Sequence, residues 1–121
     1  MEYLLMIYHS EAEWAKVTPT EEAGIYQEYG KLRDDLSAKG KYLGGSQLLP
    51  TTMATAVHMR EGKRVVTDGP FAETKEQLGG YFLVNATDLD EAIAIAARIP
   101  SARTGTIEVR PLAVRGQAKN A

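Results

Sequence analysis

Gly79-Gly80-Tyr81-Phe82-Leu83-Val84-Asn85-Ala86-Thr87-Asp88-Leu89-Asp90-Glu91-Ala92 joins a strand directly to a helix start. Tyr81 to Asn85 is a short run of aromatic and branched residues opened by a glycine pair, which predicts a strand. Thr87-Asp88 then offers capping side chains, and Asp90 and Glu91 set acids into a first helical turn, where the helix dipole favours them. Ala92, Ile93, Ala96 and Ile99 supply an expected buried stripe, and Pro100 stops the helix. A strand that switches at once to a capped helix is half of a βαβ unit. The fold then turns on whether the rest of the chain repeats that order.

Upstream it does. Tyr3-Leu4-Leu5-Met6-Ile7-Tyr8 is continuous and apolar, as a strand covered on both faces would be. A loop carrying Glu11, Glu13 and Trp14 is expected next. Thr18-Pro19-Thr20-Glu21 reads as a capping box with proline at the first helical position. Ile25, Tyr29, Leu32 and Leu36 follow at helical steps, and Gly40 marks the stop, so a helix is predicted over 19–39. Lys41 to Leu49 reads as a strand broken by Gly44-Gly45. Residues 55–60 and 64–67 alternate around Glu61-Gly62, which predicts a β-hairpin. Downstream, Ile107 and Val109 alternate with Glu108 and Arg110 in a last strand.

The order is therefore β-α-β, hairpin, β-α-β. The fold class read from it is α+β, a ferredoxin-like split βαβ sandwich with an inserted β-hairpin. Residues 1–112 make one domain, and 113–121 read as a flexible C-terminal tail. Each helix has one apolar stripe, so both are expected on one sheet face. The opposite face, with Tyr3, Leu5 and Tyr81 or their alternating neighbours, then needs cover, which predicts a homodimer packed through that face or through the hairpin.

Composition narrows the function classes. Of 121 residues, 44% are hydrophobic and 25% charged, as in an ordinary globular domain. Cysteine is absent, which removes disulfides, thiolate metal sites and a Cys nucleophile. The formal net charge is −2 without a clustered basic stripe, so neither nucleic acid nor a membrane surface is an expected partner. No segment approaches the roughly 20 apolar residues that cross a bilayer. No signal peptide is legible either, and a cytoplasmic location is expected. Two His without close spacing predict no metal site, and neither glycine pair matches a phosphate loop, so no cofactor is expected. The glycine pairs read instead as bulges or close backbone approaches.

Thr67-Asp68-Gly69-Pro70-Phe71-Ala72-Glu73-Thr74-Lys75-Glu76, with Leu78-Gly79-Gly80-Tyr81 and Gly105 to Pro111, resembles the DGPF branch of the YCII-related family. The resemblance runs from about residue 2 to 112. It implies a ferredoxin-like subunit that dimerises into an α/β-barrel-like assembly. Some members of the wider family carry a paired His and Asp in a cleft. Others are similar to proteins encoded beside alternative sigma factors, which implies a regulatory role and a transcription-related protein partner. The sequence departs from the branch at position 9, where His9 stands in place of the more usual Gly.

Two residues are acid/base candidates, Asp68 in the charged loop and His9 at the end of the first strand. Glu73, Lys75 and Glu76 are candidate contacts for a small polar metabolite. The bland alternatives are concrete. Asp68-Gly69-Pro70 is adequate turn chemistry with Phe71 plugging the core, and His9 is a hydrogen-bonded loop residue. His58 falls on the polar side of the hairpin. Arg103 and Arg110 are available to an anion. Whether the protein is an enzyme is left open by the sequence.

Overall fold

The computed structural model describes residues 1–114. Eight residues, Glu2–His9, form β1, the short helix α1 is Glu11–Trp14, and α2 spans Pro19–Ala38. Then come β2 (Tyr42–Gln47), β3 (Thr55–Arg60), β4 (Lys63–Asp68), β5 (Gln77–Asn85), α3 (Leu89–Arg98) and β6 (Thr106–Pro111). Single 3-10 turns sit at Thr51–Met53 and Pro100–Arg103. The expected tail at 113–121 falls, beyond Val114, outside the described residues.

β2, β5, β1 and β6 lie side by side in that order, every pair antiparallel. The chain is thus a mixed α+β domain whose strand order is compatible with a ferredoxin-like arrangement. β3 and β4 form a separate two-stranded hairpin between β2 and β5 in sequence. Its two-residue turn takes φ of 50° at Glu61 and 75° at Gly62, the paired positive values that suit a tight hairpin.

Tyr3, Leu5, Ile7, Phe82 and Val84 project from one sheet face into the core, where Leu32 and Leu36 of α2 and Ala92, Ile95, Ala96 and Ile99 meet them. Tyr3 and Leu5 therefore belong to the covered face. Their neighbours Leu4, Met6 and Tyr8, with Tyr81 and Leu83, lie half-buried on the other. Both helix starts are capped as their sequences predict. Thr18 Oγ1 accepts from Glu21 N at 3.2 Å while Glu21 accepts from Thr18 N at 3.1 Å. Asp88 accepts from Glu91 N at 2.9 Å.

Three expectations need correction. The loop after β1 is in part a helix, because Ser10 caps Glu13 N and two acids occupy its first turn. In α3 the buried residue is Ile95, and Ile93 is 50% exposed. At about 100° per residue, position 93 turns off the stripe shared by 92, 95, 96 and 99. Phe71 does not plug the core; it is 95% exposed. Phe71 lies in the connection between β4 and β5, beyond the turn at Gly69, where φ is 91°.

Candidate functional site

The site grows from an irregularity in the central strand pair. β1 and β5 pair regularly from Glu2 and Asn85 to Ile7 and Gly80, then Tyr8 faces Leu78 and His9 faces Gln77. Gly79 is the extra residue of this bulge, the kind of feature that re-aims side chains beside functional sites. The His9 imidazole occupies the space a side chain at 79 would need. A Cβ there would run into Nε2 and lie 2.8 Å from Cδ2. A bulge and a glycine therefore seat His9 against the sheet.

Aromatic rings continue from it. Trp14, brought round by α1, has its ring centroid 5.9 Å from that of His9, and Tyr26 on α2 stands 6.1 Å beyond Trp14. Gln47 of β2 donates to the Tyr26 hydroxyl at 3.1 Å, tying the helix to the sheet edge. Deeper in, Tyr29 packs edge-on to Phe82 at 6.0 Å and shares a 2.7 Å hydrogen bond with Ser101. Burial pushes the Tyr29 phenol above its ordinary value of 10.0, against the pull of the Ser101 hydrogen bond and the Arg103 and Arg33 cations. The phenol thus stays protonated at neutral pH.

Three concavities meet at His9 and Trp14. The innermost, about 100 Å³, runs between the first half of α2 and the sheet, walled by Trp14, Tyr26, Tyr29 and Phe82. A second of about 270 Å³ opens toward Pro100 and Arg103. A third of about 590 Å³ opens toward Leu48, Leu49 and Pro50. The cleft explains why Ile25 and Tyr29 are only half-buried, whereas Leu32 and Leu36 further along α2 reach the core. Neither ring nitrogen of His9 has a hydrogen-bond partner among the described residues, and the ring lines all three concavities.

Asp68 and the residues after it lie elsewhere. Asp68 ends β4, opposite Thr55, and is exposed. Gly69, Pro70, Glu73 and Thr74 edge a separate, open concavity of about 460 Å³ with Thr51 and Gln77. Asp68, Lys75 and Glu76 line none of the cavities that His9 lines. Polar relays join the two regions. Gln77, paired with His9, accepts from Glu11 N at 2.9 Å and donates to the Thr74 carbonyl at 2.6 Å. The Glu11 carboxylate in turn accepts from Thr51 N and Oγ1 at 3.0 and 3.1 Å. Within one chain, then, His9 and Asp68 do not share a cavity. Arg103 is held by Glu28 at 2.8 Å, and Arg110 is exposed opposite Leu4.

Trp14, Tyr26, Tyr29, Gln47 and Ser101 were not singled out by their sequence context. Two signals pointed there: the lone tryptophan and the second glycine pair. No group of three or more His, Asp or Glu able to hold a metal ion exists among the described residues. No helix of the described residues is long and apolar enough to cross a membrane.

The comparisons with known proteins agree with one another. The family model for the YCII-related domain matches residues 1–114. An uncharacterized protein of Rhizobium meliloti (strain 1021) is 35% identical over 116 residues, which cover 94% of each chain.

Proposed function

We propose, for a chain that belongs to the YCII-related domain family, a small-molecule-binding domain whose ligand occupies the cleft at His9 and Trp14. The observation that carries this reading is the convergence of three concavities on one imidazole with both nitrogens unengaged. Ligand sites are concave, mostly apolar and furnished with a few polar groups, and this cleft has that make-up. Imidazole is the side chain suited to proton transfer near neutral pH, so His9 is the acid/base group for any reaction carried out there. Within the family we assign the chain to the DGPF branch on Asp68 to Glu76. In this reading Asp68, Glu73, Lys75 and Glu76 act outside the cleft, or reach it from a second copy.

The working unit we propose is a homodimer of ferredoxin-like subunits, joined in a barrel-like assembly over the half-buried face of Leu4, Met6, Tyr8, Tyr81 and Leu83. A second reading, a regulatory module that binds a protein partner, is favoured by the hairpin. Val57, Met59 and Val66 share one exposed face of it, and a two-stranded hairpin is marginal in water without cover.

A metabolite library screened by thermal shift tests the cleft. Stabilisation by a ligand is expected for the wild type, lost in His9→Gln and Trp14→Leu, and kept in Asp68→Ala and Glu76→Ala. Loss in the last two with retention in the first two would move the site to the loop.

A further inference from the structure

We propose that the cleft takes a ring-sized planar carboxylate, with Arg33 as the anion-binding group and the aromatic walls holding the ring. This rests on the ligand reading of the same cleft and names its substrate class.

Charge is the first ground. No Asp or Glu lines the innermost cavity, and Arg33 is the one permanently charged residue that does. Arg98 and Arg103, by contrast, are committed: Arg98 is tied to Asp35 at 2.7 Å and Arg103 to Glu28 at 2.8 Å. Arg33 has no ion-pair partner among the described residues. Its guanidinium reaches back along α2, so that Nη2 lies 3.9 Å from where a side chain on Gly30 would begin. It is near enough to Tyr29 to oppose the effect of burial on that phenol. An unengaged guanidinium facing an apolar-walled cavity is matched by a planar two-oxygen anion, which it can bind through two parallel hydrogen bonds. Ser101 and Tyr29, already paired at 2.7 Å, add hydroxyls beside it.

Shape is the second ground. The innermost cavity is about 100 Å³, and an apolar cavity of about 150 Å³ suffices for benzene. A single ring with its carboxylate projecting toward Arg33 fits once the contiguous concavities are counted. Aromatic walls favour a flat, apolar body through edge and face contacts. Arg33 follows Tyr26 by seven positions on α2, on the order of 10 Å at the helical rise. Tyr26 stands on the His9–Trp14 side. A ligand anchored at Arg33 therefore points its far end toward His9.

Trp14 is the single tryptophan, so its fluorescence reports on this cleft directly. The full chain would be titrated with benzoate, benzamide and benzylamine, for the wild type, Arg33→Lys and Arg33→Gln. Benzoate is expected to change the emission saturably and to bind about tenfold or more tightly than benzamide. Arg33→Gln is expected to bring benzoate down to the benzamide level and leave benzamide unchanged, with Arg33→Lys in between. Arg33 is exposed, so these variants keep the core intact. Equal binding of benzoate and benzamide, or full benzoate affinity in Arg33→Gln, would overturn the carboxylate assignment and leave the cleft itself standing. No response to any of the three probes would also overturn it. The cleft reading fails separately, if no library compound needs His9.

Discussion

At the scale of single residues, Gly79 governs the site. A methyl group there meets the His9 ring, so Gly79→Ala must displace the imidazole or open the bulge. A loss of about 1–3 kcal/mol is expected, measured by urea denaturation, as for other overpacked positions. Ligand binding in the cleft should fall with it. Leu5 has no exposed surface, and Leu5→Ala should cost about 2–5 kcal/mol. The second effect was legible in sequence, because an apolar run in a strand predicts burial wherever the strand lies. The role of Gly79 was legible only in part. A glycine pair announces a close approach, but that the approaching group is His9 depends on a register set by the partner strand. Trp14 stands out as the lone tryptophan, but its place was illegible for the same reason. A residue expected in a loop reaches a cleft only because Ser10 winds one turn of helix after β1.

At the scale of elements, local signals were the most readable. Thr18→Ala removes half of the capping box of α2 and should lower stability by about 1 kcal/mol, read by thermal or urea unfolding. Glu91 joins two elements. Its carboxylate accepts from Lys41, just before β2, at 2.6 Å, and from Thr87 N at 3.0 Å. These bonds, the Lys41 one first, hold its pKa below the ordinary 4.5. A carboxylate held lower in the folded than in the unfolded chain adds stability above its unfolded value and loses it as pH falls through the folded one. The stability gap between the wild type and Lys41→Met should therefore be present at neutral pH and close as pH drops below 4.5. Urea midpoints across the acid range would measure it. The α3 stripe was misread at one of its members because Ile93 and Ile95 are equally apolar, and only packing against the sheet separates them. The charged loop is distinctive in sequence, but chemistry follows from what a side chain faces, and Asp68 lines none of the cavities that His9 lines.

At the scale of the molecule, the order of elements was enough to give the α+β class, because two βα units around a hairpin leave few sheets to build. What covers the half-buried face was not in that order. For the proposed homodimer, light scattering should give twice the 13.2 kDa chain mass, and Met6→Glu should halve it. The central place of β1 also has a consequence for synthesis. Its two neighbours are β5 and β6, so Leu5 waits for both Phe82 and Val109. At translation rates, on the order of ten seconds separate β1 from β6. For most of that interval the most apolar stretch of the chain has neither of its neighbouring strands. The nascent protein cannot fold progressively from its first strand, and its earliest residues are the ones a chaperone would have to shield until the ribosome has nearly finished.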